Sequence, residues 1–159
     1  MYRIGQSSDL HVLVEGRDLI LGGVKIDYKY GLLGHSDADC LLHVVAESIL
    51  GALAKGDLGT HFPDNDQSIK GIDSSTIVKD VVEMMTKDGY KVSNIDTLII
   101  IQNPKMKPYI SAMKKNIATL LNINENEVNV KATTSEKVGI VGEEKAVVCQ
   151  AVVLLNKLN

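Results

Sequence analysis

Residues 36–54 read SDADCLLHVVAESILGALA, and the spacing of their apolar side chains decides the class of fold. Ser36 belongs to the residue types that cap helix N-termini, and Asp37 and Asp39 place negative charge beside the positive end of the helix dipole. Apolar residues then recur at helical spacing, at Leu41, Leu42, Val45, Ile49, Leu50 and Leu53. The pattern predicts an amphipathic helix that begins at Ser36 and ends near Ala54.

Two strand patterns precede this helix. Residues 2–14 have strand character, residues 15–18 contain turn formers, and residues 19–26 return as a second strand. Gly22 and Gly23 interrupt that second strand and indicate a bulge or a close approach. We therefore expect an N-terminal hairpin.

The rest of the chain alternates between helix and strand patterns. Residues 55–72 show no periodicity and predict a long loop, and Asp73-Ser74-Ser75 caps a helix that runs to Gly89. The following segments predict a buried strand at 95–101, a helix from Pro108 to Leu121, a strand at 128–134, a loop or short helical turn at 135–145, and a final strand at 146–155. The order ββααβαββ contains two strand-helix-strand crossovers and predicts an α+β fold with a mixed sheet covered on one face by helices.

Composition limits the class of protein. The 159 residues are 45% hydrophobic and 23% charged, and they show neither an internal repeat nor a linker, so we expect a single domain spanning 1–159. The formal charge is −3, and Arg3 and Arg17 are the only arginines, which argues against a nucleic-acid partner. The chain shows neither a signal-peptide pattern nor an apolar run of membrane-spanning length. These features predict a cytoplasmic protein with no membrane partner.

The two cysteines carry no metal or disulfide signal. Cys40 and Cys149 are far apart and form no CxxC pair, so neither a disulfide framework nor a thiolate zinc site is indicated. We expect both to be buried thiols in a reducing compartment.

Three of the four histidines fall within the first 43 residues, and their surroundings suggest a metal site. On a strand, Asp9 and His11 would point to one face, and His43 in the following helix could approach that face. Two imidazoles and one carboxylate leave a fourth position free, as at catalytic zinc. Asp39 stands four residues before His43 and could orient its imidazole or approach the ion itself. The alternative is a solvated Asp9–His11 pair and a hydrogen-bonded core histidine at position 43.

Four further segments carry polar groups suited to a phosphorylated ligand. The helix start at residues 35–37 offers amides and an imidazole to an anion, and the only phenylalanine, Phe62, lies beside a proline as in a lid or diol-binding wall. Residues 103–108 place two lysines between prolines, and residues 133–137 combine hydroxyls with a carboxylate that suits Mg²⁺ or Mn²⁺. Taken singly, residues 35–37 are also consistent with a simple N-cap and residues 133–137 with a polar turn, and for residues 103–108 the spacing alone favours a strand-to-helix connector.

Taken together, the motifs occur in an order typical of one family. They are Asp9-Leu10-His11, His35-Ser36-Asp37-Ala38-Asp39 with His43, Gly56-Asp57-Leu58-Gly59, Phe62-Pro63-Asp64, Pro104-Lys105-Met106, and Lys131-Ala132-Thr133-Thr134-Ser135-Glu136-Lys137. Over essentially its whole length the chain resembles the 2-C-methyl-D-erythritol 2,4-cyclodiphosphate synthase family.

The resemblance implies an activity and a set of site residues. Enzymes of this family convert 4-diphosphocytidyl-2-C-methyl-D-erythritol 2-phosphate to the cyclic diphosphate and CMP in non-mevalonate isoprenoid biosynthesis. By similarity, Asp9, His11 and His43 would bind one zinc per subunit, and Glu136 would hold Mg²⁺ or Mn²⁺ at the diphosphate. His35 and Thr134 would stabilise the transition state. The residues expected to contact substrate are Ser36, Asp57, Leu58, Gly59, Phe62, Pro63, Asp64, Asn65, Asp66, Ile101, Gln102, Asn103, Pro104, Lys105, Met106, Lys107, Thr133, Ser135 and Ile140.

The resemblance also implies an assembly. The family is a homotrimer with active sites between subunits, and its fold is a four-stranded mixed sheet with βαβ, ferredoxin-like elements backed by helices. The chain departs from the family pattern at Gly5-Gln6-Ser7-Ser8, at Glu47 in place of an aspartate, and at Glu143, where some relatives carry an arginine that binds isoprenoid diphosphates.

Two other functions are compatible with the same residues. In a metal-dependent nucleotide or phosphodiester hydrolase, the zinc would activate water in place of an internal phosphate. A noncatalytic trimeric module would bind metal or isoprenoid phosphates without turnover.

Overall fold

The computed structural model describes residues 1–63, 65 and 71–158. Its strands are β1 (Tyr2–Glu15), β2 (Leu19–Leu21), β3 (Val24–Ile26), β4 (Tyr30–Leu32), β5 (Tyr90–Ile100), β6 (Val128–Thr133) and β7 (Ala146–Lys157). Its α-helices are α1 (Cys40–Leu53), α2 (Leu58–His61), α3 (Ser74–Lys87), α4 (Ile110–Leu121) and α5 (Gly139–Gly142), and a 3₁₀ turn covers Glu125–Glu127. The predicted α+β class is confirmed.

The main sheet has five strands within the described residues, in the order β4-β1-β7-β5-β6, where four were expected. The additional strand β4 pairs with the last residues of β1, Leu13 to Glu15. Strands β5 and β6 are parallel and the other neighbours are antiparallel, so the sheet is mixed. One of the two expected crossovers therefore joins neighbouring parallel strands, namely β5-α4-β6. The other expected crossover passes through α1 and α3 to β5. It starts from β4, which lies at the opposite edge of the sheet from β6 and is not a neighbour of β5.

The predicted N-terminal hairpin is wrong. Strand β1 pairs with β4 and β7, and residues 19–26 fold on themselves as the antiparallel pair β2–β3. Gly22 and Gly23 form the turn of that pair with φ of 60° and 72°. Two consecutive positive φ angles are what a tight two-residue hairpin turn requires, and glycine adopts them at no steric cost. The two glycines thus separate two strands, and the expected bulge is wrong. The alternative of a close approach is confirmed at Gly22, where an added Cβ would lie 2.9 Å from Met113 Cβ.

Helix α1 begins later than predicted, because Asp39 rather than Ser36 is its N-cap. The Asp39 carboxylate accepts hydrogen bonds from the Leu42 amide at 2.9 Å and from the Gly22 and Gly23 amides at 2.9 and 2.6 Å. Burial raises the pKa of Asp39 to about 6, against the lowering effect of these three amides. Its expected role beside His43 is therefore incorrect, since its side chain joins the start of α1 to the β2–β3 turn.

The helices pack on one face of the sheet, as predicted. Helix α1 lies against β1 and β7, α3 packs on α1 and β5, and α4 packs on β6 and α3. Helix α1 approaches the backbone of β1 closely at Gly5, where an added Cβ would lie 1.9 Å from the Ser48 carbonyl oxygen. Both cysteines are buried thiols, as expected.

The other face of the sheet is not covered by any described element of the chain. Its exposed apolar side chains on β1 and β7 are Tyr2, Ile4, Leu10, Val12 and Val152. In the described part of the chain, no helix has the length and apolarity needed to cross a bilayer.

Candidate metal centre and phosphate site

The structure brings Asp9, His11 and His43 together. Asp9 and His11 lie on β1 and point toward α1, whose first turn carries His43. One ligand atom from each residue lies within 4.8 Å of the other two. Asp9 Oδ2 is 3.2 Å from His11 Nδ1 and 3.4 Å from His43 Nδ1. The three side chains therefore face one shared position, as their spacing predicted.

The electrostatics of this cluster suit a cation. Burial alone would raise the pKa of Asp9, but the neighbouring imidazoles of His11 and His43 hold that pKa well below its usual range. Burial would lower the pKa of His11, but Asp9 and Cys40 raise it to about 10. The cluster thus favours a positive charge next to the Asp9 carboxylate.

The His11 Nδ1 atom tests directly whether these residues fit a metal. This nitrogen is buried, and although Asp9 Oδ2 lies 3.2 Å away, the contact is not aligned as a hydrogen bond, so the nitrogen makes none to any described residue. A buried polar atom without a partner is costly, and coordination of a metal would satisfy it. Two imidazole nitrogens and a carboxylate oxygen are ligands that zinc accepts, and three protein ligands leave one position for a substrate oxygen.

The second ring nitrogen of His43 is held from the opposite side. Its Nε2 lies 3.2 Å from Ser36 Oγ and 3.0 Å from Ser74 Oγ. Ser74 in turn donates its hydroxyl and its amide to Asp37. Sequence reasoning missed Ser74, because it lies 31 residues from His43 and no local spacing links the two.

The predicted catalytic residue His35 lies in a segment that packs against the cluster. Its side chain is exposed, and its carbonyl oxygen accepts from the Gly71 amide at 2.8 Å. A Cβ added at the preceding Gly34 would lie 3.5 Å from His11 Nε2. Arg17, which was not predicted as a site residue, donates to the carbonyl oxygens of Gly34 and Ser36 and so clamps this segment in place.

The predicted substrate segment around Asp57 forms the short helix α2. Asp57 is its N-cap and accepts from the Thr60 amide at 2.9 Å. The Leu58 amide donates to Glu47 Oε1 at 3.3 Å, and Glu47 Oε2 accepts from Ser7 Oγ at 2.6 Å. Glu47, the chain's departure from the family aspartate, thus ties this segment to α1 and β1.

The residues that follow α2 are described only in part. Phe62 is half-buried and packs against the core, and Pro63 and Asn65 are exposed. Gly59 lies within α2. Asp64 and Asp66 lie outside the described residues.

A second polar set lies where the parallel strands β5 and β6 end. The Ile101 amide donates to the Thr133 carbonyl oxygen at 3.0 Å, and the Lys137 amide donates to Gln102 Oε1 at 3.1 Å. Thr134 Oγ1 donates to Glu136 Oε1 at 3.1 Å. The predicted residues of this set with exposed side chains are Asn103, Lys105, Lys107, Thr133, Thr134, Glu136 and Ile140.

Other predicted members of this set are less accessible. The side chains of Ile101 and Met106 are buried in the core, so their backbone groups are what a ligand could reach. Gln102, Pro104 and Ser135 are half-buried, and Ser135 donates to the Val138 carbonyl oxygen.

The metal cluster and the second polar set of one chain are separated across the sheet. The register aligns Asp9 with Cys149, Cys149 with Ile99, and Ile99 with Ala132. Asp9 and the end of β6 are therefore three strand spacings apart, about 14 Å at about 4.8 Å per spacing. The two sets of one chain therefore lie in separate regions of the sheet.

Comparisons with known proteins cover nearly the whole chain. Residues 2–156 match the YgbB family. A protein of Geobacillus sp. (strain WCH70) named 2-C-methyl-D-erythritol 2,4-cyclodiphosphate synthase is 56% identical over 157 residues, which are 99% of each chain. The protein of that name from Clostridium perfringens (strain 13 / Type A) is 55% identical over 155 residues, 98% of this chain and 99% of the relative.

Solved structures show the same fold. The IspF–CDP complex from Plasmodium falciparum superposes with a TM-score of 0.86 at 41% identity, covering 99% of this chain and 97% of that one. The bifunctional IspDF from Campylobacter jejuni superposes with a TM-score of 0.96 at 36% identity. That match covers all of this chain and 43% of the longer one.

Proposed function

The chain belongs to the YgbB family, and on this basis we propose how its side chains catalyse the formation of 2-C-methyl-D-erythritol 2,4-cyclodiphosphate. The activity is that of a phosphorus–oxygen lyase of the non-mevalonate route to isoprenoid precursors. We propose a metal-assisted intramolecular phosphoryl transfer that releases CMP. The observation that carries this proposal is the convergence of Asp9, His11 and His43 on one position.

The reaction needs no dedicated general base. The attacking group is the 2-phosphate of the substrate, and a phosphate monoester with a second pKa of about 6 is already mostly dianionic near neutral pH. The protein must therefore fold the substrate so that this oxygen meets the β-phosphorus, and it must offset the charge that develops. Bond formation to the β-phosphorus releases CMP, and no water is consumed.

Asp9, His11 and His43 are the residues that would hold zinc. The partnerless His11 Nδ1 and the mixed nitrogen and oxygen ligand set support this assignment. When bound, the zinc would act as a Lewis acid toward a phosphate oxygen. Asp9 would supply the anionic ligand, and His35, on the segment beside His11, would donate to a phosphate oxygen.

The second polar set would bind the cytidine diphosphate portion. The exposed carboxylate of Glu136 would hold Mg²⁺ or Mn²⁺, which prefer oxygen ligands. Thr134 and Lys105 present a hydroxyl and an ammonium group to phosphate oxygens, and the backbone of residues 101–106 presents amides and carbonyls to the base. The Plasmodium falciparum relative is described as a CDP complex, which supports a cytidine nucleotide as the ligand.

We propose that the active site is completed by a neighbouring copy in a homotrimer. The separation of about 14 Å between Asp9 and the end of β6 supports a site that combines the Asp9, His11 and His43 cluster of one copy with the second polar set of the next. The uncovered sheet face supports this assembly, because Ile4 is 71% exposed and Tyr2 70% exposed. An uncovered sheet face with several exposed apolar side chains marks an interaction site, and here it is proposed to bind two further copies of the chain.

The central experiment is ³¹P NMR of the purified protein with 4-diphosphocytidyl-2-C-methyl-D-erythritol 2-phosphate and Mg²⁺. We expect signals of CMP and a cyclic diphosphate with the parent protein. His11→Ala, His43→Ala and Asp9→Asn should be folded and nearly inactive. Asp88→Asn is the matched control for Asp9→Asn. Asp88 is distant from Asp9 in the sequence and forms an ion pair with Lys55 near the surface, so this variant should retain full activity.

The reaction in ¹⁸O-labelled water separates the alternatives. Label in CMP or in released phosphate would establish a hydrolase and refute intramolecular transfer. A cyclic product free of label supports the proposal. Binding of zinc and CDP without any turnover, even with Mg²⁺ or Mn²⁺ added, would indicate the noncatalytic module.

A further inference from the structure

We propose that Ser74 and Asp37 are positioning residues that fix the tautomer of His43 and direct its Nδ1 lone pair to the position shared with Asp9 and His11. This inference rests on the proposed metal-binding function of that cluster. It concerns residues outside the ligand set, and it assigns a role to a serine at the start of α3.

The hydrogen bonds of Ser74 decide where the imidazole proton lies. Asp37 Oδ1 accepts the Ser74 hydroxyl, and Asp37 Oδ2 accepts the Ser74 amide at 3.0 Å. A carboxylate only accepts hydrogen bonds, so the Ser74 hydroxyl proton is committed to Asp37. Ser74 Oγ then has only lone pairs to offer to His43 Nε2, which lies 3.0 Å away.

The consequence for His43 follows from the two nitrogens of a neutral imidazole. With Nε2 protonated and donating to Ser74, Nδ1 carries the lone pair. That Nδ1 is the atom 3.4 Å from Asp9 Oδ2, on the side of the ring that faces the cluster. Metal-binding histidines commonly donate their other ring N–H in this way, which fixes the tautomer and the ring orientation.

Asp37 is itself firmly held. Besides the two bonds from Ser74, its Oδ1 accepts from the Asp39 amide at 3.1 Å. Its own amide donates to the Ile72 carbonyl oxygen at 3.2 Å. Because residues 35–37 are hydrogen-bonded in this way to the residues that precede α3, the three side chains of the series Asp37–Ser74–His43 are held in a fixed arrangement.

Ser74 has the burial expected of such a residue. Its relative exposure is 0%, so water does not compete for its hydroxyl. Ser36 also lies 3.2 Å from His43 Nε2, but it is half-buried and its oxygen accepts from the Ala38 amide. Ser74 is therefore the stronger partner of the imidazole.

The test measures zinc affinity of the metal-stripped full-length protein by competition with a chromophoric chelator. We expect Ser74→Ala to raise the zinc Kd about 10- to 100-fold, the usual effect of removing an outer-shell partner. Ser48→Ala is the matched control: Ser48 is equally buried and lies on α1 with His43, but its hydroxyl donates to the Val45 carbonyl oxygen of its own helix. Its zinc Kd should stay at the parent value.

A spectroscopic measurement separates orientation of the imidazole from general stability. In ¹⁵N-histidine NMR of the zinc-loaded parent, we expect His43 to be protonated at Nε2 and bound to zinc through Nδ1. Asp37→Asn removes an acceptor from Ser74 and should weaken zinc binding to a similar degree. It serves as the second variant if Ser74→Ala does not fold.

Coordination of zinc through Nε2 of His43, or a Ser74→Ala protein that binds zinc as tightly as the parent, would overturn this inference alone. A parent protein that binds no zinc would overturn the proposed metal site as well, so the two failures are distinguishable.

Discussion

Substitution of Gly5 by alanine should damage both the stability of the protein and its metal site. Gly5 lies on β1 under helix α1, and an alanine Cβ would come within 1.9 Å of the Ser48 carbonyl oxygen and 2.6 Å of the Ala52 amide nitrogen. Both contacts are with backbone atoms, which cannot rotate away as a flexible side chain can. Helix and strand must therefore separate.

The structure sets the size of this effect. Ordinary contact with Ser48 begins at 3.4 Å, so α1 must move away from β1 by about 1.5 Å. Overpacking typically costs about 1–3 kcal/mol, and contact with backbone places this substitution near the upper value. For a chain of this size, about 3 kcal/mol corresponds to a fall in Tm of about 6–12 °C.

The same movement separates the metal ligands. His43 lies on α1, while Asp9 and His11 lie on β1, and metal–ligand distances tolerate deviations of only about 0.2 Å. We therefore expect the zinc Kd of Gly5→Ala to rise about 10-fold or more, the scale seen when ligand orientation is disturbed.

The assay is a thermal melt combined with a zinc competition titration of Gly5→Ala and Gly51→Ala. Gly51 is an exposed residue of α1, the helix that packs on Gly5. The nearest atom to a Cβ added at Gly51 is the Gln6 carbonyl oxygen at 3.8 Å. Alanine there should raise helix stability by up to about 1 kcal/mol. A Gly5→Ala protein with the Tm and zinc affinity of the parent would refute the argument that α1 packs on β1 at backbone distance.

Three further predictions concern the metal ligands, the helix cap and the sheet face. In the metal-free protein the pKa of His11 is raised from 6.5 to about 10, so the stability that protonated His11 contributes is complete below pH 6.5 and is lost as the pH rises toward 10. The pKa of Asp9 is lowered, so the stability that its carboxylate contributes is present above pH 3.8 and is lost as the pH falls further. Zinc needs unprotonated imidazoles, so the zinc-induced rise in Tm should grow from pH 6 to pH 9, and thermal melts with and without chelator would contradict this if the rise were constant. Asp39→Ala leaves the buried amides of Gly22 and Leu42, and the more exposed amide of Gly23, without their acceptor. It should cost about 3 kcal/mol, measured by urea denaturation, and a loss below about 1 kcal/mol would contradict the cap assignment. Ile4→Glu should give a folded, inactive monomer in size-exclusion chromatography with light scattering, and an active trimer would argue against the proposed interface.

The sequence by itself determined the elements whose patterns are local. Helices α3 and α4 begin and end near their predicted positions, because capping residues and helical spacing act within a few turns. The convergence of Asp9, His11 and His43 was predictable for the same reason, since residues two apart on a strand share a face and His43 follows in the adjacent helix.

The sequence led to wrong expectations where two local patterns competed. Ser36 and Asp39 are both good N-caps, and the choice of Asp39 depends on its bonds to Gly22 and Gly23 in a distant turn. Likewise, a Gly-Gly pair fits either a bulge or a tight hairpin turn, and the pairing of β1 with β7 left residues 19–26 to pair with themselves.

Only the tertiary structure decided the contacts that join residues far apart in the chain. The hydrogen bonds between His43 and Ser74 and between Leu58 and Glu47, and the close packing of α1 on Gly5, follow no sequence period. Each depends on the order and register of strands and on how closely a helix approaches them. Local spacing determines which face a side chain occupies. Long-range packing determines what that face meets, since the free energy of those contacts comes from burying surfaces that adjoin only in the folded chain.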